Sequence, residues 1–314
     1  TVKISNLCSE ITWPTGLDHR GRERTAVCCL SSLNLETWEE WHDHPTFIED
    51  VMRFLDNVLS DFIARAPESM IRAKYAAMRE RSVGLGVMGF HSFLQKHAIP
   101  FESVMAKVWN KRMFKHIRQS ADLASKVLAE ERGPCPDAAE HGIMERFSHK
   151  LAIAPTASIS IICGGTSPGI EPLVGNAFTH KTLSGSFAVR NAHLEKLLEE
   201  KGRNDEETWS SIILHEGSVQ HLDFLNEEEK AVFKTAFELD QRWLVEHAAD
   251  RTPYICQAQS LNLFLPADVH KRDLHQIHLM AWKRGLKSLY YCRSRSLQRA
   301  ESPLALAAVP DTPA

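Results

Sequence analysis

Strand-like and helix-like segments alternate along the chain. Runs of apolar and β-branched residues predict strands at 4–13, 26–35, 151–163, 256–265 and 286–292. Apolar residues recur at helical spacing at 47–62, 102–131, 192–202, 226–249 and 267–285. Strands that alternate with long helices predict parallel β/α units and an α/β fold.

Two of these helices carry end signals. Thr46 and Glu49 have the spacing of a capping box directly after Pro45, which predicts a helix start there. The helix at 102–131 is predicted to stop at Gly133 and Pro134. From about residue 297 the chain is rich in Ala and Pro, and this composition predicts a disordered tail over 297–314.

Composition and charge narrow the function classes. The chain has 314 residues, 43% hydrophobic and 25% charged, as in ordinary soluble globular proteins. The net charge of −3 without a basic block predicts no nucleic-acid partner. No apolar run approaches the ~18 residues of a membrane span, so no membrane partner is expected.

The seven cysteines are scattered and form no C-x-x-C pair. Together with the lack of a secretory leader, this pattern predicts free thiols in a cytoplasmic protein. A zinc module needs clustered ligands, so no metal site is predicted.

The octet "ISNLCSEI" (4–11) contains one cysteine among polar neighbours. On an extended segment Asn6, Cys8 and Glu10 would share one face. A lone cysteine in an apolar strand is usually a small buried hydrophobe. Spacing alone therefore leaves a structural and a functional interpretation open.

The stretch "GLGVMG" (84–89) matches the G-x-G-x-x-G fingerprint of dinucleotide sites. That fingerprint requires a preceding strand, whereas "AKYAAMRERSV" before it is charged and helix-like. The pattern favours glycines that pack a helix closely against a neighbour over a nicotinamide site.

Two further stretches offer chemistry. "APTASISIICGGTSPGIEP" (154–172) supplies hydroxyls, backbone N–H groups and tight glycine turns, which suit a phosphate or simply a small-residue turn. "SLYY" (288–291) places two tyrosines side by side. In a strand their rings would point to opposite faces, with one buried and one half-exposed.

Together these stretches resemble the large (α) subunit of class I ribonucleotide reductase. The matching blocks, in family order, are "SNLCSEI", "AVCCLSSLNL", "RSVGLGVMGFHSFL", "PTASISIICGGTSPGIEP", "LSGSF", "QAQSLNLF" and "MAWKRGLKSLYYCRSR". The resemblance implies the second half of a ten-stranded α/β barrel with a central finger loop. Residues 1–296 would form this carboxy-terminal half of the catalytic domain, followed by the tail.

The resemblance implies a role for each matching residue. Cys8 would form the thiyl radical that abstracts the ribose 3′ hydrogen, and Glu10 would take the 3′-hydroxyl proton. Asn6 would hydrogen-bond the ribose hydroxyls and Glu10. Tyr290 and Tyr291 would relay the radical from the small subunit.

The redox cysteine and the substrate loops also follow from the resemblance. Aligning "CCLSSLNL" on the family pattern selects Cys28 over the adjacent Cys29 as one member of the redox-active pair. The residues expected to bind substrate are Asn6, Leu7, Cys8, Ser9, Glu10, Pro155, Thr156, Ala157, Ser158 and Ile159.

The implied activity is that of a ribonucleoside-diphosphate reductase. The implied partners are the substrate, the small β subunit whose metal cofactor generates the radical, and thioredoxin or glutaredoxin as reductant. This chain itself is expected to bind no cofactor. ATP and deoxynucleotide effectors would bind the amino-terminal half of the α subunit.

The family's amino-terminal half, second redox cysteine and carboxy-terminal cysteine pair have no counterpart in the sequence. We therefore expect the 314 residues alone to be inactive and to require that half as a partner. Two alternatives are a cobalamin-dependent class II reductase and a non-catalytic half that only scaffolds a partner. The adjacent tyrosines favour class I, and the retention of Asn6, Cys8 and Glu10 together argues against a scaffold.

Overall fold

The computed structural model of the chain describes residues 4–182 and 185–294. The strands are β1 (Gly16–Leu17), β2 (Glu23–Arg24), β3 (Leu30–Asn34), β4 (Gly84–Met88), β5 (Ala177–Thr182), β6 (Gly185–Arg190), β7 (Leu263–Leu265) and β8 (Cys292–Ser294). The α-helices are α1 (Trp38–Trp41), α2 (Phe47–Arg65), α3 (Ile71–Glu80), α4 (Phe90–Lys96), α5 (Val104–Arg132), α6 (Pro136–Ala139), α7 (Ile159–Ile162), α8 (Ala192–Glu200), α9 (Glu206–Leu214), α10 (Glu227–Val232), α11 (Gln241–Arg251) and α12 (Lys271–Lys283). The predicted tail at 297–314 lies outside the described residues.

Five strand segments lie side by side in chain order. β3 pairs in parallel with β4 over its whole length. Parallel bridges then place 151–153 beside β4 and 257–259 beside 151–153. The chain continues from 257–259 into β7, which pairs in parallel with β8. Parallel neighbours need crossovers, and helices supply them here, so the predicted β/α units are confirmed.

The predicted strand at 4–13 is wrong. Residues 7–9 instead form a turn, in which Ser9 adopts a left-handed backbone with φ of 66°. The Asn6 amide donates to the Ile11 carbonyl (3.1 Å), so the chain reverses on itself. No extended face is shared by Asn6, Cys8 and Glu10. The predicted strand at 26–35 is shorter than expected and begins at Leu30.

Most predicted helices are present, with changed ends. The long helix begins one residue after Ser103, whose hydroxyl caps it. The capping box at Thr46 is wrong, because the Thr46 hydroxyl donates to the Asp50 carboxylate (2.9 Å) instead of capping the backbone. The helix predicted at 226–249 is split into α10 and α11, because Asn226 and Asp240 each cap a separate start.

The other predicted strands are also shorter than expected. In 151–163 only Leu151 and Ile153 form bridges, and α7 occupies the end of the segment. In 256–265 the regular strand is β7. The strand predicted at 286–292 is displaced, because β8 begins only at Cys292, the last residue of that range.

The glycine-rich segment 84–88 is a buried strand, so its interpretation as a helix packing element is wrong. A Cβ on Gly86 would lie 2.5 Å from the Ala152 carbonyl oxygen. Glycine therefore lets β4 approach 151–153 closely. The segment is part of the sheet that carries the candidate site.

A buried ionic cluster joins the helices around this sheet. Asp56 on α2 is fully buried and accepts hydrogen bonds from Arg81 (2.8 Å), Arg132 (2.7 Å) and Arg146 (2.9 Å). Burial alone would raise the pKa of Asp56, but the three guanidinium groups outweigh it and hold the pKa below its usual range. Among the described residues no helix is both long and apolar enough to cross a membrane.

Candidate active site

A short loop at the start of the chain, residues 6–12, carries the first three candidate residues; we call it the finger loop. The Asn6 side chain accepts a hydrogen bond from the Ile11 amide (3.0 Å) and so fixes the loop's reversal. Cys8 lies half-buried in the turn, whereas Leu7 is 84% exposed. Glu10 is buried at 1% exposure. The turn thus holds a thiol and a carboxylate close to one another without strand geometry.

The segment 257–262, between α11 and β7, anchors the finger loop. Gln257 accepts from the Thr12 amide (2.7 Å), and the Ala258 amide donates to the Glu10 carbonyl (2.9 Å). The Ser260 hydroxyl bonds both the Cys8 carbonyl (2.5 Å) and Glu10 Oε2 (3.0 Å). The loop therefore has a fixed position on the sheet.

The adjacent tyrosines meet the finger loop at Cys8. The Tyr290 hydroxyl donates to Cys8 Sγ over 3.7 Å. The Ser9 hydroxyl donates to the Leu289 carbonyl (2.9 Å), which ties the loop to the tyrosine segment. Hydrogen bonds with Tyr291 and with Cys8 raise the pKa of Tyr290.

The two tyrosine rings do not point to opposite faces, so that expectation is wrong. Their centroids are 4.1 Å apart with the planes inclined at 37°. Residues 290 and 291 precede β8 and lack the regular strand conformation that would separate the rings. Tyr290 is half-buried and Tyr291 is 50% exposed, so the pair connects the thiol to the surface.

The two neighbouring cysteines face different surroundings. Partial desolvation and the nearby charge of Glu10 raise the pKa of the Cys28 thiol, while a hydrogen bond with Asn6 lowers it. Cys29 points into the core near the Leu55 carbonyl (3.9 Å), and burial raises its pKa to about 11. The structure thus brings Cys28, and not Cys29, to the finger loop.

The candidate phosphate loop directly follows the strand segment 151–153. Thr156 is buried with φ of 55°, and its hydroxyl accepts from the Gly169 amide (2.6 Å). Its side chain therefore closes the loop. Ala157, Ser158 and Ile159 are exposed. Backbone hydrogen bonds join 151–153, the strand segment before this loop, to 257–260, which anchors the finger loop.

Sequence reasoning missed the polar residues of the anchoring segment. Gln257, Ser260 and Asn262 are nearly or fully buried in an otherwise apolar strand-like stretch. Buried polar side chains in such a stretch require partners, and this signal was available in the sequence. Their partners are the finger loop and the tyrosine segment.

Glu171 is a second buried carboxylate connected to the site. Asn262 donates to Glu171 Oε1 (2.6 Å) and accepts from the Tyr291 amide (2.9 Å). Burial raises the pKa of Glu171 to about 7, although the Asn262 hydrogen bond and Arg293 lower it. Glu171 thus supports the tyrosine pair through one amide side chain.

No group of three or more His, Cys, Asp or Glu side chains within 4–182 and 185–294 has the arrangement of a metal site. All seven cysteines are free thiols. The arrangement places a thiol, a carboxylate, an amide and a second thiol around one loop. A phenol pair leads from that loop to the surface.

Known proteins are similar to this chain in sequence and in fold. The ribonucleotide reductase large subunit of Invertebrate iridescent virus 6, a ribonucleoside-diphosphate reductase, is 50% identical over 95% of this chain and 31% of its own length. The putative large subunit of Frog virus 3 is 45% identical, over 93% of this chain and 51% of its own. The chain therefore spans about a third to a half of these curated relatives.

A solved structure of a related protein has the same fold. The class Id ribonucleotide reductase α subunit of Actinobacillus ureae is 41% identical and superposes with a TM-score of 0.86, covering 94% of this chain and 54% of that one. The predicted α/β barrel fold and the resemblance to reductase large subunits are thereby confirmed. The family model for the ribonucleotide reductase barrel domain matches residues 1–140 and 136–292. The chain belongs to the family of ribonucleotide reductase barrel domains.

Proposed function

We propose that this chain carries the catalytic residues of a class I ribonucleoside-diphosphate reductase, which makes deoxyribonucleotides by thiyl-radical chemistry. One observation carries the proposal. The Tyr290 hydroxyl lies 3.7 Å from Cys8 Sγ, and the Tyr291 ring packs against Tyr290. A phenol pair that ends on a thiol is suited to moving a hydrogen atom between oxygen and sulfur.

The first step in this proposal generates the thiyl radical. A tyrosyl radical at Tyr291 takes a hydrogen atom equivalent from Tyr290, and the Tyr290 radical then takes the hydrogen of the Cys8 thiol. Each transfer moves one proton and one electron, so charge does not accumulate in the site. The 3.7 Å contact between the Tyr290 hydroxyl and Cys8 Sγ provides the path for the second transfer.

The substrate steps use the groups around the finger loop. Cys8 removes the hydrogen from C3′ of the ribose, and Glu10 accepts the 3′-hydroxyl proton as general base. The 2′-hydroxyl leaves as water with a proton from the Cys28 thiol, whose raised pKa supports its protonated form. Over the cycle two thiols become a disulfide, the C2′ hydroxyl is replaced by hydrogen, Glu10 returns its proton to the 3′ oxygen, and Cys8 returns a hydrogen to C3′.

The remaining substrate contacts fall to the two loops. Asn6 would bond the ribose hydroxyls, and Leu7 and Ser9 would line the sugar. The exposed residues of 155–159 would hold the diphosphate with hydroxyl and backbone N–H groups. Thr156 shapes this loop from within, through its hydrogen bond with Gly169.

The proposed activity requires partners, as the relatives' greater length suggests. The amino-terminal half of a large subunit would supply the second redox thiol and the sites for ATP and deoxynucleotide effectors. A small subunit would supply the radical from its metal cofactor, and thioredoxin or glutaredoxin would reduce the disulfide. Seven free thiols are compatible with the reducing cytoplasm in which we place this activity.

The tyrosine pair distinguishes this proposal from a class II enzyme, because a cobalamin radical generated beside the thiol would need no phenol relay. A scaffolding role is disfavoured by the buried Glu10 and its hydrogen bond to Ser260. A chain that only supported a partner would gain nothing from a buried carboxylate beside a thiol.

The test combines this chain with an amino-terminal half and a small subunit and measures CDP reduction. Cys8→Ser should abolish turnover, because a serine hydroxyl is far harder to oxidise to a radical than a thiol. The matched control is Cys135→Ser, a cysteine outside both the finger loop and the 154–172 stretch whose thiol contacts the Ser148 hydroxyl (3.3 Å), and it should keep wild-type activity. Turnover by the Cys8 variant at the wild-type rate would disprove the mechanism.

A further inference from the structure

Ser260 bonds both Cys8 and Glu10 through its hydroxyl but has no part of its own in the proposed reaction. Its side chain is 1% exposed, and its own backbone amide donates to the Ile153 carbonyl (2.9 Å). Two residues earlier, the Ala258 amide holds the Glu10 carbonyl (2.9 Å), and the next residue, Leu261, accepts from the Tyr290 amide (2.8 Å). The hydroxyl is thus carried by a backbone that neighbouring segments fix on both sides.

This one hydroxyl faces two acceptors of different chemistry. Its oxygen lies 2.5 Å from the Cys8 carbonyl and 3.0 Å from Glu10 Oε2. A serine hydroxyl has one hydrogen to donate and two lone pairs that accept. Both groups accept, so the single hydrogen is shared between them in a three-centre hydrogen bond. Oε2 is still an acceptor when Glu10 takes a proton on Oε1, so the arrangement is kept when the carboxyl is protonated.

We propose that Ser260 is a positioning residue that holds the thiol-bearing turn and the general base in one geometry through both protonation states of the base. This inference rests on the proposed reductase function. When Glu10 takes the 3′-hydroxyl proton on Oε1, Oε2 remains an acceptor, and the Ser260 hydrogen stays shared between Oε2 and the Cys8 carbonyl. No covalent bond to Ser260 forms or breaks.

Geometry explains why this matters for the reaction. The hydrogen bond at Oε2 fixes the plane of the Glu10 carboxylate, so Oε1 keeps one orientation. The bond to the Cys8 carbonyl fixes the backbone from which the thiol projects. Hydrogen abstraction and proton removal act on the same ribose carbon and its hydroxyl, and small displacements of either group reduce the rate steeply.

The experiment uses the complete large subunit with its small subunit and measures CDP reduction with ordinary and 3′-deuterated substrate. Ser260→Ala should lower kcat by about 10- to 100-fold with KM within about twofold of wild type. The isotope effect on kcat should increase, because hydrogen abstraction becomes slower relative to the other steps. Ser260→Thr, which keeps the hydroxyl, should recover most of the rate.

A matched control is Ser125→Ala. Ser125 is an equally buried serine whose hydroxyl accepts from the Arg146 (3.1 Å) and Phe147 (3.3 Å) amides, and its loss should leave the isotope effect unchanged. Wild-type kcat in Ser260→Ala would overturn the inference, as would equal losses in the Ala and Thr variants or an unchanged isotope effect. Failure of the proposed function has a separate signature, which is turnover by Cys8→Ser.

Discussion

Asp56 and Glu171 are both buried carboxylates, yet their surroundings shift their pKa values in opposite directions. Asp56 meets three arginines, and its pKa is held below the usual range. Glu171 meets the neutral amide of Asn262, and burial raises its pKa to about 7. The first group is fixed in its charged form, whereas the second can change its protonation state near neutral pH.

Charged partners surround the buried carboxylate that stabilises the fold, whereas neutral partners surround the carboxylates near the proposed active site. The Asp56 cluster joins α2 to α5 and to two further arginine-bearing segments through opposite charges. Around the finger loop the hydrogen-bond partners of the carboxylates are a hydroxyl and an amide, at Ser260 and Asn262. A neutral partner holds a carboxylate in position without favouring its charged form as strongly as an arginine does. A carboxylate that must accept a proton requires such a partner.

Asp56→Asn should have the largest effect on stability. The substitution leaves three guanidinium groups around a neutral side chain, and loss of one partner of a buried ionic cluster costs about 3–5 kcal/mol. Denaturant unfolding measures the change in the free energy of unfolding. The matched control is Asp61→Asn on the same helix, whose exposed pair with Arg65 should contribute less than about 0.5 kcal/mol. Similar losses in both variants would contradict the structural role of the cluster.

Glu171→Gln should remove a pH dependence of stability. The folded-state pKa of about 7 lies above the ordinary value of 4.5, so between these values the folded chain binds more protons than the unfolded chain. Stability from this group is therefore full below about pH 4.5 and is lost as pH rises through about 7.

The glutamine is neutral at every pH, so the variant should be more stable than wild type at pH 8 by up to about 3 kcal/mol. Unfolding titrations from pH 5 to 8.5 measure the difference between the two proteins. The pKa of Glu80 is also raised to about 7 by burial, but its contribution is common to both proteins and cancels. A variant that keeps the wild-type slope would contradict the assignment to Glu171.

Ser9→Ala should have the smallest effect, a loss of about 1 kcal/mol in the free energy of unfolding. The variant removes the hydrogen bond from the finger loop to the Leu289 carbonyl (2.9 Å) and nothing from the Asp56 cluster. Its control is Ser288→Ala, which removes a longer bond to the Gln259 carbonyl (3.3 Å). A larger loss of unfolding free energy in Ser288→Ala would show that the Ser9 bond does not anchor the finger loop.

Local patterns predicted the long helices well, because apolar spacing reports which face of a helix is buried, but they missed α9 and the strands β5 and β6. They failed at residues 4–13, where one left-handed serine turns an apolar run into a loop. They also failed at 84–88, where charged residues before the strand suggested a helix. In both cases contacts with distant segments decide the conformation.

The candidate site could be predicted from the sequence only through the family resemblance. Spacing suggested a shared face for Asn6, Cys8 and Glu10. Instead a turn brings them together, and it is held by the segment 257–262, which lies about 250 residues further along the chain. The two adjacent cysteines likewise differ through distant contacts. Cys28 contacts Asn6 of the finger loop, and Cys29 contacts the helix α2. Such pairings between distant residues leave no periodic signal in one sequence.

From Gln259 onwards the anchoring segment alternates its contacts residue by residue. Gln259 bonds Arg251 and the Ala248 carbonyl on α11, Ser260 bonds the finger loop, and Asn262 bonds Tyr291 and Glu171. A slip of one residue in its register would turn Gln259 or Leu261 towards Cys8 and send Ser260 towards the helix. Insertions and deletions are therefore excluded from these few positions even where single substitutions are tolerated, so the length of this segment constrains the site as firmly as its chemistry.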